Sequence, residues 1–174
     1  MLRYITFLIV TLVVVSPLVA QVGPSPQTDQ HLVTLAMPEW VGVWCSGDVE
    51  FDFATMAGFP PAATPTYYDP TTPAASPYES VRCLAITRNN WELSVSGTGD
   101  FDDGAGNNIP LGRLEWSESG LASWTNMTTA NASVVTGSGP GMTLVDVDYR
   151  YRYQGDEGNG TYTTTVTYEM AITP

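Results

Sequence analysis

The oxygen donors best able to do chemistry in this 174-residue sequence sit in one glycine-rich stretch, Gly99-Asp-Phe-Asp-Asp-Gly-Ala-Gly-Asn-Asn108. Asp100, Asp102, Asp103 and Asn107 put hard oxygen ligands on a short loop, the donor set calcium prefers. The EF-hand pattern is not met, because Gly104 takes its fifth position and Leu111, not a glutamate, its twelfth. The same residues also make an ordinary solvated turn loop. Calcium is the single cofactor the sequence suggests; otherwise none is expected.

Carboxylate pairs come next. Glu115 with Glu118, or Asp146 with Asp148, could act on a glycosidic bond if their separation in space allowed it. Asp146 and Asp148 alternate with Val145, Val147 and Tyr149, which places them on the wet face of a strand. No serine stands in a nucleophile motif, no phosphate- or dinucleotide-binding glycine pattern occurs, and no Cys/His metal spacing exists. His31 is the single histidine, so a Cys–His nucleophile is not expected. No catalytic residue is assigned, and the expectation is a protein that is not an enzyme.

Binding residues are easier to find. Five tryptophans occur, and flat aromatic faces can stack on sugar rings. Trp91 and Trp116 have core parity in their segments, whereas Trp40, Trp44 and Trp124, with Tyr67 and Tyr68, are candidate glycan contacts. Cys45 and Cys83 form an even pair, which in an exported chain most often closes a disulfide; two free thiols are the alternative. Asn126-Met-Thr, Asn131-Ala-Ser and Asn159-Gly-Thr are sequons, so Asn126, Asn131 and Asn159 are candidate N-glycosylation sites in a host that glycosylates exported proteins.

The elements that must position these residues are extended. Val145 to Tyr153 alternates apolar or aromatic residues with charges, and Tyr162 to Ile172 alternates again. Between them Gln154-Gly-Asp-Glu-Gly-Asn-Gly160 is all turn formers. The simplest reading is an antiparallel hairpin pairing Tyr151 with Tyr162, Val147 with Val166 and Val145 with Tyr168. Upstream, residues 40–45 read as a central or covered strand, apolar on both faces. Residues 48–53 alternate cleanly, with Val49, Phe51 and Phe53 inward. Residues 81–87 and 91–96 follow, the latter with Trp91, Leu93 and Val95 inward. Residues 109–116 put Leu114 and Trp116 on one face, and 121–127 and 132–136 are short strand candidates. No helical period of useful length follows residue 20. The fold class expected is all-β, an antiparallel Ig-like or jelly-roll β-sandwich of about 7–9 strands.

Domain organisation follows from composition. Arg3, the apolar run from Ile5 to Val15 and Leu18-Val19-Ala20 make residues 1–20 a cleaved N-terminal signal peptide. Residues 21–37 read as a flexible leader able to add a strand to a neighbour's sheet edge. The sandwich spans 38–174, with a proline-rich insertion at 57–79 that is either a surface excursion or a tyrosine-bearing contact loop. The chain has no lysine, and eighteen Asp and Glu against six Arg give a formal net charge of −12. Such a balance repels phosphate backbones and anionic lipid, so neither nucleic acid nor, after signal cleavage, membrane is an expected partner.

Trp91-Glu-Leu93 within a strand, followed by Gly160-Thr-Tyr-Thr-Thr-Thr-Val-Thr-Tyr-Glu-Met170, resembles the WxL-type bacterial cell-surface domain. The second motif is altered here to Tyr168-Glu-Met170, and the likeness covers the half of the chain from Trp91 on. What it implies is an extracytoplasmic, non-catalytic β-sandwich that binds a wall polymer or a neighbouring surface protein. The expectation is therefore a secreted, extracellular or cell-surface structural or adhesion protein, built into a surface layer, filament or wall. Its partners would be other surface proteins, cell-wall polysaccharide or further copies of itself. A carbohydrate-binding module and a small glycan hydrolase are the alternatives.

Overall fold

The computed structural model describes Gln30 and residues 32–173. The expected signal peptide, most of the leader and His31 lie outside the described residues. The chain divides into two units, residues 1–38 and 39–174. In the first, Leu32, Val33, Leu35 and Met37 are exposed.

The second unit is built from strands. In chain order they are β1 (Trp40–Trp44), β2 (Thr66–Tyr68), β3 (Glu79–Ile86), β4 (Asn90–Gly97), β5 (Phe101–Asp102), β6 (Asn108–Ile109), β7 (Leu114–Glu118), β8 (Thr125–Asn126), β9 (Ala132–Ser138), β10 (Gly141–Tyr153) and β11 (Val166–Thr173). One short 3-10 turn, Leu111–Arg113, precedes β7. A six-stranded sheet runs β1-β3-β10-β7-β8, with β2 on the far end of β10; a three-stranded sheet runs β11-β4-β9; β5 and β6 form a small ribbon. All ladders are antiparallel. The expected all-β antiparallel class is what the chain adopts. Among the described residues no helix is long and apolar enough to cross a membrane.

The two larger sheets face each other over one core. Val81 and Cys83 of β3, Val145, Val147 and Tyr149 of β10, and Leu114 and Trp116 of β7 meet Trp91, Leu93 and Val95 of β4 and Met170 of β11. Burial in β10 alternates with the pleat, as period-two sequence requires. Trp91 fits because Gly137 lies opposite it on β9. A methyl carbon there would sit 2.1 Å from Trp91 Cζ2.

Five expectations are corrected. First, β10 and β11 are not a hairpin: they belong to different sheets, and Val147 pairs with Glu79 and Glu118 rather than Val166. Alternation determines which face is dry but not which strand lies alongside, and residues 154–165 are long enough to carry the chain from one layer to the other. Second, β1 is an edge strand, not a central one, and Trp40 and Trp44 face outward. Third, residues 48–53 keep their inward parity, with Val49 and Phe51 against the core, yet form no ladder beyond a Glu50–Thr72 bridge. Fourth, the candidate strand at 121–127 shortens to β8, while the proline-rich insertion contributes β2, which pairs with the end of β10. Fifth, Cys45 and Cys83 are free thiols rather than a disulfide. Val43, not Cys45, lies opposite Cys83. Diagonal neighbours in an antiparallel pair have Cα atoms about 7–8 Å apart, beyond the usual reach of a disulfide.

Candidate functional site

Two regions collect the residues that could recognise something. The first is the outer face of the six-stranded sheet beside β1. Trp40, Gly42 and Trp44 share that face, and the register sets Trp40 beside Ile86, Gly42 beside Leu84, and Trp44 beside Arg82. Leu84 then meets Met142, and Arg82 meets Leu144, on β10. Trp40, Trp44, Met142 and Leu144 are all exposed. Gly42 lets the two indoles converge. Their centroids are 6.0 Å apart, and a methyl at Gly42 would lie 2.6 Å from Trp40 Cη2 and 2.9 Å from Trp44 Cη2. The result is a continuous apolar surface over three strands, with Arg82 as its one charged group.

Farther along the same face the chemistry turns polar. Asp146 accepts from Ser80 Oγ at 2.7 Å, and Asp148 from Ser76 Oγ at 2.5 Å. Beyond them the Arg150 guanidinium lies between the rings of Tyr67 and Trp124, at 4.1 and 4.3 Å from their centroids. Arg150 also donates through Nε to Glu115 at 2.7 Å. So Trp124 and Tyr67 stack on an arginine, Tyr68 packs edge-on against Phe53, and Glu115 is neutralised. Of the two carboxylate pairs, Glu115 is bound to Arg150, and both aspartates accept from serines.

The second region is a cleft of about 920 Å3 between the layers. After Trp44 the chain leaves the sheet, and residues 47–54 form one wall; residues 157–166 form the other. Its floor carries Tyr149 and Tyr151 of β10 and Tyr168 of β11, and the Tyr149 and Tyr168 hydroxyls meet at 2.6 Å across the layers. Burial drives the pKa of both phenols upward, and for Tyr168 the neighbouring Tyr149 adds to the rise. Both stay neutral donors and acceptors. Glu79 sits beside them, 4% exposed. Its Oε1 accepts from the Ser46 backbone N–H and hydroxyl. Among the described residues Oε2 accepts no hydrogen bond and the group has no ion pair. Burial, with Glu79 nearby, pushes the Cys45 thiol up; burial and then Cys45 do the same for Cys83. Neither is an activated thiolate.

The sequence-derived loop at 99–108 is internally satisfied. Asp103 accepts from the Ala105 and Asn107 backbone N–H groups and from Asn107 Nδ2, Asp102 from Gly104 N–H, and Asp100 from Leu111 N–H. Among the described residues no group of three or more His, Cys, Asp or Glu is placed to hold a metal ion. Asn126, Asn131 and Asn159 are all exposed, and Asn131 donates to Glu169 at 2.8 Å. Glu79 was missed in the sequence because it sits at the junction of the insertion and a strand, where parity is ambiguous. The Trp-x-Gly-x-Trp spacing carried a signal, since alternate residues of a strand share a face.

Trp91 and Leu93 of β4 lie opposite Ile172 and Met170 of β11. Comparison of the chain with protein-family models, curated proteins and solved structures gives no match.

Proposed function

We propose that this protein is a non-enzymatic structural or adhesion subunit of the cell exterior, and that it assembles with further copies of itself through the outer face around Trp40 and Trp44. The observation that carries this reading is the apolar surface of Trp40, Trp44, Leu84, Ile86, Met142 and Leu144, contiguous across β1, β3 and β10. Monomeric proteins rarely leave such a surface uncovered. Charge favours a second copy as the occupant. The chain carries a formal −12, and none of these six residues is a carboxylate, the acidic part of the face beginning only at Asp146, so two copies can meet over the apolar patch with least repulsion. The signal-peptide pattern and the WxL-like motifs support an exported location. Engagement of Glu115 by Arg150 and of Asp146 and Asp148 by serines speaks against the hydrolase alternative built on those pairs.

The test is sedimentation of the purified chain over a wide concentration range. Association should strengthen as salt screens the like charges, and Trp44→Ala should weaken it by about tenfold or more, as truncating a central aromatic anchor does. A chain that stays monomeric at all concentrations would sink the proposal. Quenching of tryptophan fluorescence by a polysaccharide, abolished in Trp44→Ala, would transfer the face to the carbohydrate-binding reading.

A further inference from the structure

From the interlayer cleft we infer a second, separate binding site, one that takes an organic cation: a positively charged nitrogen on an aromatic or aliphatic body. Three observations converge on this chemistry. The space, about 920 Å3, falls within the range of small-molecule pockets. Its walls are rich in π-faces: Phe51, Phe53, Phe59, Phe101, Tyr149 and Tyr162 all border it. Aromatic walls of this kind attract cations through the ring quadrupole, most strongly where water is excluded.

The charges around the cleft are of one sign. Asp48, Glu50, Asp52, Glu79 and Glu157 line it, and no Arg or His does. Glu157 is already matched by Arg113 at 2.6 Å. Glu79 is not, although it is the most deeply buried of the five. Its Oε2 is not among the buried polar atoms that lack a partner, so it keeps contact with the cleft and can take a charge partner from it. The ligand's positive nitrogen would sit against Glu79 Oε2 as a charge partner while its organic body lies against the rings. The paired Tyr149 and Tyr168 hydroxyls supply a neutral polar edge beside it. A metal ion is a poorer fit, because among the described residues no three carboxylates converge. An anionic ligand would meet unrelieved repulsion.

The experiment is calorimetric titration of the full chain with benzyltrimethylammonium, its uncharged isostere neopentylbenzene, and benzenesulfonate. Saturable binding of the cation, with the neutral compound much weaker and the sulfonate undetectable, is the expected result. Glu79→Gln keeps an oxygen for Ser46 and should weaken the cation by about tenfold or more. Trp44→Ala, on the opposite face of the sheet, should leave it unchanged, which separates this site from the assembly surface. If Glu79→Gln fails to fold, the double variant Glu50→Gln with Asp52→Asn on the rim takes its place, with about a threefold loss expected as two flanking charges go. Equal binding of all three probes, no saturable binding of the cation, or unchanged affinity in the variant that folds would overturn the inference.

Discussion

The two faces of the six-stranded sheet near β1 invert the usual distribution of residues. Outside, Trp40, Trp44, Met142 and Leu144 meet solvent. Inside, the cleft shelters Glu79 at 4% exposure and is bordered by further carboxylates. Away from these places the chain follows the ordinary rule, with Val81, Leu93 and Val147 fully buried. Departures from that rule concentrate where a protein meets something else. The two departures also differ in kind. An apolar outer face is completed by another apolar surface and is strengthened by salt; an acidic aromatic cleft is completed by a cation and is weakened by salt.

The largest expected effect sharpens the contrast between two buried glutamates. Glu115, 5% exposed, is matched by Arg150, whereas Glu79 has only Ser46. Arg150→Met should cost about 3 kcal/mol in chemical denaturation by stranding Glu115. Glu79→Gln should leave stability unchanged or raise it, because it removes a carboxylate with no counter-ion. If both variants lose stability equally, Glu79 is structural and the contrast fails.

A smaller effect separates the two faces of one strand. Val147→Ala should cost about 1.5–2 kcal/mol by opening a cavity in the core. Leu144→Ala, at 59% exposure, should change monomer stability by less than about 0.5 kcal/mol while weakening self-association. Denaturation and sedimentation of the same two variants decide this; a stability loss in Leu144→Ala would mean that face is not free.

The smallest effects are in pH. Burial raises the Glu157 pKa, but the Gln154 and Gly155 backbone N–H groups and Arg113 outweigh it and leave the pKa lowered. A lowered carboxyl stabilises the fold above its ordinary 4.5 and loses that contribution as pH falls below it. Glu157→Gln should therefore flatten the acid limb of a Tm-against-pH curve. Tyr149 and Tyr168 have the opposite sign: their raised pKa values contribute stability below the ordinary 10 that is lost above it. Tyr168→Phe should flatten the alkaline limb alone.

Much of the fold was legible because side-chain parity is a local property. Trp91, Leu93, Val95, Leu114, Trp116 and the odd residues of β10 took the faces their spacing assigned. Strand neighbours were not legible. The supposed hairpin of β10 and β11 satisfies every parity requirement, yet the two strands face each other across the layers and touch through Tyr149 and Tyr168. The same limit hid the candidate sites. Trp-Val-Gly-Val-Trp looked apolar on both faces and so suggested a covered strand. Only its position at a sheet edge turns the tryptophans into a surface.

By itself, then, the sequence determined the class, the strand-forming segments and their dry faces, since these follow from a two-residue period and from turn chemistry within a few positions. The order of strands, the free thiols, the arginine that neutralises Glu115 and the cleft around Glu79 were decided by tertiary structure alone. Each depends on groups tens of residues apart, brought together by the packing of two layers and not by any local preference of the chain.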